Sequence, residues 1–160
     1  LVMCVNIFVR EDGKYLMLKR SSRKRYAPNF VHPVGGKIEP NESPYLAARR
    51  EVQEEVGMTI KNIRLEAVVL EIKPYKTTKA NWLIFHFSAD YDSGRITETE
   101  EGKLVFLNSK EIFNQKLFPS IREIIGHILN PEDGVVFATF EHNKKGSIVQ
   151  KTKKIDACVV

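Results

Sequence analysis

Between Glu39 and Glu55 the chain carries five carboxylates, Glu39, Glu42, Glu51, Glu54 and Glu55, with Arg49 and Arg50 among them. On a helical wheel of about 100° per residue, with Glu51 as origin, Glu54 falls at about 300° and Glu55 at about 40°. Ala48, Val52, Tyr45 and Val56 fill about 60° to 140° on the same wheel. The acids therefore form a stripe beside the apolar face, at the rim of a core. Like charges at i,i+3 and i,i+4 destabilise a helix by about 0.2–0.5 kcal/mol per pair. The second and third turns also lie away from the end whose dipole favours anions. Local helix stability does not explain the stripe. A hard divalent cation would, because Mg²⁺ takes oxygen ligands and binds through a few carboxylates plus substrate phosphates. Arg50, one turn before Glu54, is placed to hold that carboxylate. A solvated acidic face laced with arginine has the same spacing.

A helix of definite length must present this stripe. Ser43 is a good N-cap, Pro44 suits the first turn, and Gly57 supplies the stop. They frame a helix from about Pro44 to Val56. Upstream, apolar runs flank Asp12-Gly13, a hairpin signal. The basic segment from Ser21 to Gly36 is rich in turn formers and reads as irregular. Downstream, "IRLEAVVLEIK", "ANWLIFHFSAD" and "KLVFL" read as strands, and "SKEIF" as one helical turn. Ile121, Ile124, Ile125, Ile128 and Leu129 recur at helical spacing, the pattern of core packing, with Asn130-Pro131 as the stop. "GVVFATFE" and "GSIVQKTKKIDACVV" bracket a second hairpin at "HNKKG". The order β-β-α-β-β-β-α-β-β describes a mixed α/β chain, expected to form one domain over 1–160.

The 160 residues, 42% hydrophobic and 28% charged, match a soluble globular protein. No apolar run approaches the roughly 20 residues that span a bilayer. The start "LVMCVNIFV" reads as a strand rather than a signal peptide. Cys4 and Cys158 make neither a disulfide framework nor a zinc site, consistent with a reducing, cytoplasmic setting. A net charge of +5 favours anionic partners such as nucleotides. The basic clusters from Lys19 to Arg25 and from Lys144 to Lys154 also suit a solvated face. Stable nucleic-acid binding is not expected, and the sequence carries no signature of an oligomeric state.

The full spacing is more specific than the acids alone. From Gly36 come five residues, Glu42, seven residues, then Arg50-Glu51-Val52-Gln53-Glu54-Glu55-Val56-Gly57-Met58. This resembles the Nudix box, G-x5-E-x7-R-E-U-x-E-E-x-G-U with U bulky and apolar, without departure at any defined position. The resemblance implies the Nudix fold, a mixed β-sheet sandwiched between helices (α/β/α). It also implies hydrolysis of a nucleoside diphosphate linked to another group, with Mg²⁺ or Mn²⁺. By that match Glu51, Glu54 and Glu55 are metal ligands, and Gly36 adds its backbone carbonyl. Glu42 and Arg50 support the loop and helix, and Glu54 doubles as a catalytic group. Metal ions suit this chemistry because they neutralise a polyanion, align its phosphates and lower the pKa of a bound water.

The flanks resemble the MutT-type branch, nucleoside triphosphate pyrophosphohydrolases that release a monophosphate and pyrophosphate. Lys19 or Arg20 would then contact phosphate. Glu101 would assist catalysis, with Glu98 and Glu100 as competitors. His32, Trp82 and Phe118 are candidates to contact the base. His32 would otherwise cap its loop, and Trp82 would otherwise pack in the core. Two departures weaken an oxidised-purine reading. His32 stands where relatives selecting such bases carry Asn, and Ser120-Ile121 follows Phe118-Pro119 where some carry an acidic pair. Pro74 and Tyr75 loosely match markers of ADP-ribose and dinucleoside polyphosphate hydrolases, which stay open. So does a non-catalytic module that binds nucleotide or RNA.

Overall fold

The computed structural model describes residues 1–74, 79–97 and 102–156. Tyr75, Glu98, Glu100, Glu101 and Cys158 lie outside them. The described elements are β1 (Val2–Glu11), β2 (Lys14–Arg20), β3 (Val31–His32), β4 (Val34–Lys37), α1 (Pro44–Val56), β5 (Met58–Ile72), β6 (Trp82–Gly94), β7 (Gly102–Leu107), α2 (Ser109–Phe113), α3 (Pro119–Leu129), β8 (Val135–His142) and β9 (Ile148–Asp156). None of the described helices is long and apolar enough to cross a membrane.

Asp12 and Gly13 both take positive φ, 50° and 74°, which closes a two-residue turn between Glu11 and Lys14. The strands run β3-β2-β1-β6-β5-β8-β9, with β4 on β1 and β7 on β2. β1 pairs with β6, and β5 with β8, in parallel; the other pairs are antiparallel, so the sheet is mixed. Along β1, Val5, Ile7 and Val9 face the core under α1, whereas Phe8 faces the core under α2 and α3. That alternation makes the α/β/α layering. The isoleucine stripe of α3 packs in the second core, as its spacing indicates.

Two details differ from the sequence reading. The segment from Ser21 to Gly36 is irregular only to Phe30, after which β3 and β4 form. β4 pairs Val34, Gly35, Gly36 and Lys37 with Ile7, Asn6, Val5 and Cys4. The edge of β1 offers unmet backbone groups there, and pairing with them overrides the weak strand propensity of a glycine pair. The second difference is in α1. Tyr45 is 48% exposed, and Ala47, fully buried, lies inward with Ala48, Val52 and Val56. Two small alanines let the helix lie close on the strand that carries Gly36. Glu51 is carried inward with them.

Candidate active site

α1 is set by its ends. Ser43 Oγ accepts from the Leu46 N–H at 3.3 Å, and Gly57, at φ 72°, donates its N–H to Gln53 O at 3.0 Å. Between these ends the three acids occupy different environments. Glu51 is buried, Glu55 is half-buried, and the Glu54 side chain is 60% exposed. The Glu51 carboxylate lies over Gly36, where any Cβ would collide with it. Glycine at 36 is therefore a requirement of close approach, as Gly57 is of a left-handed backbone.

Arg50 ties these parts together. Its Nε and Nη2 donate to the two oxygens of Glu42 at 2.9 and 3.0 Å, the two-pronged geometry of a strong charge-assisted pair. Nη2 also donates to Lys37 O at 3.0 Å. Nη1 donates to Glu51 Oε1 at 2.8 Å and to Glu54 Oε2 at 3.0 Å. One guanidinium thus joins the end of β4, the loop acid and two helix acids. Glu42 receives the Glu39 N–H as well, at 3.0 Å. The Arg50 bond, then the Glu39 bond, hold its carboxyl below the usual range. The same pairing, Glu42 foremost, raises Arg50 above an ordinary guanidinium. Among the described residues no three His, Cys, Asp or Glu side chains converge on a single ion position.

Beside Gly36 opens a cavity of about 720 Å³. Arg20, His32, Trp82 and Phe118 all line it, together with Gly36 itself. Lys19 does not; it is exposed. Arg20 donates through Nε and Nη2 to Tyr26 O at 3.3 and 3.1 Å, which ties the basic loop to the end of β2, with Tyr26 also lining the cavity. His32 Nδ1 lies 2.8 Å from Pro33 O, so the ring engages its own loop while still bordering the cavity. Phe118 packs against Phe30, with ring centres 5.0 Å apart, and stacks on Tyr26 at 6.2 Å. Trp82 is half-buried, forms cavity wall and belongs to neither apolar core.

The sequence reading missed the polar floor: Asn6, Glu71, His142 and the fully buried His86 behind them. The signal was present as parity. Glu71 continues the inward series Ala67, Val69 along β5, and Asn6 shares with Phe8 one face of β1. A charged or amide residue on a buried face is the feature to look for. Asn6 Nδ2 lies 3.5 Å from His86 Nδ1. Burial pushes His86 down to about 4 against the opposing pull of the Glu71 charge. Burial likewise pushes the Cys4 thiol up to about 11, which leaves it an inert wall group.

A NUDIX domain model matches residues 2–127. The chain belongs to the Nudix family. Among curated Nudix relatives, the NAD-capped RNA hydrolase NudC of Shigella dysenteriae serotype 1 is 34% identical over 94 residues, 58% of this chain and 33% of that protein. NudC of Haemophilus influenzae is 32% identical over 101 residues, 62% of this chain and 36% of that protein. The chain thus spans about a third of the length of these relatives. The Nudix fold is equally plain in solved structures. The mutator MutT protein of Bacillus halodurans superposes with TM-score 0.83 at 24% identity, covering 96% of this chain and 98% of its own. MutT of Methanosarcina mazei gives 0.63 at 23% identity, covering 82% and 96%.

Proposed function

We propose that this Nudix chain hydrolyses phosphoric anhydride bonds in nucleoside-diphosphate-linked substrates with Mg²⁺ or Mn²⁺. The preferred substrate in this reading is a nucleoside triphosphate, cleaved between the α and β phosphates to monophosphate and pyrophosphate. The observation that carries it is the Glu51 carboxylate lying over Gly36, while Gly36 itself lines a cavity large enough for a nucleotide.

The residues fit a hard cation. Glu51, Glu54 and Glu55 offer only carboxylate oxygens, and the missing Cβ at Gly36 lets the Glu51 carboxylate come close to β4. Arg50 already spans Glu51 and Glu54, so these acids are positioned in advance by a positive charge. When bound, the ion neutralises phosphate charge and makes a water more acidic. Glu51, Glu54 and Glu55, with the Gly36 carbonyl, are the ligands in this reading. Glu54, open to solvent, is placed to accept a proton from the attacking water. Arg50 and Glu42 keep the loop and helix in register. Arg20 supplies positive charge at the cavity mouth, and Trp82, Phe118 and His32 hold the base against an apolar wall. Glu101 would add a further acid from outside the described residues.

A second reading, cleavage of a dinucleotide or ADP-ribose pyrophosphate, is supported by the activity for which the NudC relatives are named. Steady-state rates for dGTP, 8-oxo-dGTP, ADP-ribose, NAD and diadenosine tetraphosphate, with Mg²⁺ and with products identified, distinguish the two. The expected result is fastest turnover of a triphosphate with release of pyrophosphate. Faster turnover of any of the last three replaces the triphosphate assignment and leaves the hydrolase class standing. Wild-type protein that binds these nucleotides and cleaves none would instead be a binding module.

A further inference from the structure

The cavity is largely apolar at its walls, yet Glu71 lines it at only 7% exposure. A buried carboxylate is costly unless a donor or a cation meets it. Here one oxygen is met. Glu71 Oε2 lies 3.3 Å from His142 Nε2, and His142 Nδ1 lies 3.3 Å from Gly146 O. Both ring nitrogens therefore face acceptors, and the arrangement favours a ring carrying both protons. The carboxylate is pinned from one side. Among the described residues Oε1 accepts no hydrogen bond, and Oε2 keeps a second lone pair.

We infer that Glu71 is the specificity-determining residue of the cavity, reading a guanine-type base by its two adjacent N–H donors. The inference rests on the nucleotide-hydrolase reading above and adds the class of base. Aromatic side chains border the carboxylate: Trp82 is the cross-strand partner of Glu71, and Phe118, stacked on Tyr26, lines the same cavity. A base lying flat against these rings brings its edge to Glu71. An ionised carboxylate accepts and never donates. A guanine edge offers it N1–H and the 2-amino group side by side. An adenine edge offers one amino group next to the N1 lone pair, which a carboxylate repels. Cytosine has the same mismatch at N3. Uracil and thymine offer one N–H between two carbonyl oxygens. An 8-oxo group leaves the N1 and N2 donors unchanged, so Glu71 selects guanine over adenine and leaves oxidised and ordinary guanine alike. His142 acts through Glu71 as a positioning residue.

The test is kcat and KM for dGTP and dATP, with Mg²⁺, in wild type, Glu71→Gln and His142→Gln. A two-donor contact to one charged acceptor is worth about 1–3 kcal/mol, or roughly 5–150-fold. Wild type is expected to favour dGTP by a factor in that range. Glu71→Gln should lose most of it through a raised KM for dGTP and a lowered KM for dATP, because the amide adds a donor for the adenine N1 lone pair. His142→Gln should weaken dGTP less and shift its KM profile with pH. Equal kcat/KM for dGTP and dATP in wild type overturns the inference and leaves the hydrolase reading intact. So does an equal loss on both substrates in Glu71→Gln. If Glu71→Gln does not fold, calorimetric binding of GMP against AMP to wild type decides the matter: preference for GMP supports it and equal affinity overturns it. Absence of hydrolysis of every triphosphate by wild type defeats the hydrolase reading instead, and the GMP and AMP titrations still score the base contact.

Discussion

Gly35 and Gly36 are neighbours on one short strand, but they serve two differently built regions. Gly36 makes room for the Glu51 carboxylate; Gly35 packs against Val5 O and the Asn6 side chain. On the Gly36 side, every strong contact joins residues between Lys37 and Glu54, and charge is met by charge at a partly exposed surface. On the Gly35 side, the cavity collects Asn6, Glu71, Trp82 and His142 from four strands and Phe118 from just before α3, and its polar groups are buried or half-buried with few partners. The difference bears on chemistry. A site for a hydrated ion needs several oxygens that can rearrange near water, whereas base selection needs a few polar atoms fixed in a dry wall.

The comparison is most sharply broken at Glu54. Its side chain is 60% exposed, so Glu54→Gln should leave the melting temperature unchanged while kcat falls by about 10²–10⁴-fold. Near-normal turnover in a folded Glu54→Gln protein would remove the acid helix from the mechanism.

Next in size are the two glycines, substituted one at a time. In Gly36→Ala the new Cβ displaces Glu51, and misplacing a reacting group by about 1 Å costs on the order of 10²-fold. The loss should fall in kcat and in Mg²⁺ affinity. Gly35→Ala pushes instead on the Val5 carbonyl and the Asn6 side chain, so it strains the β1–β4 pairing, lowers stability and raises nucleotide KM. Identical kinetic profiles for the two variants would dissolve the division between the regions.

The smallest effect is in the pH dependence of stability. His86, held at about 4 against an ordinary 6.5, is neutral when folded. Unfolded chain takes up its proton first, so this contribution is complete above 6.5 and is lost as pH falls toward 4. Between pH 7.5 and pH 5 the loss is worth about 2 kcal/mol. His142, raised chiefly by Glu71, has the opposite sign: its contribution is present below 6.5 and fades as pH rises through its folded value. Glu42, lowered by Arg50, contributes above 4.5 and is lost only at more acid pH. Urea midpoints at pH 7.5 and 5 therefore report on the cavity rather than the acid helix. The midpoint should be lower at pH 5, and His86→Gln should flatten the dependence. An unchanged acid limb in that variant would assign it elsewhere.

The contrast also explains what could be read before folding. The acid helix is legible because its information is contiguous. Ser43, Pro44 and Gly57 set its ends through bonds that reach four residues at most, and the box spacing places Glu51, Glu54 and Glu55 one turn apart. The α3 stripe and the Asp12-Gly13 turn are legible for the same reason. Tyr45 was misplaced because the wheel gives the order of residues around a helix, not which arc meets the sheet. That arc followed from the fit of Ala47 and Ala48 on β4, a strand that exists only because β1 has a free edge. Contiguous sequence carried the box that marks the family, the acid stripe on one helix and the mixed α/β order of elements, while the layering came with the family resemblance. Long-range packing set the rest: Arg20 rather than Lys19 borders the cavity, Trp82 is wall, and Glu71 meets His142 beside it. Those relations join residues up to a hundred positions and more apart, and the energy that fixes them is burial, which no short window of sequence contains.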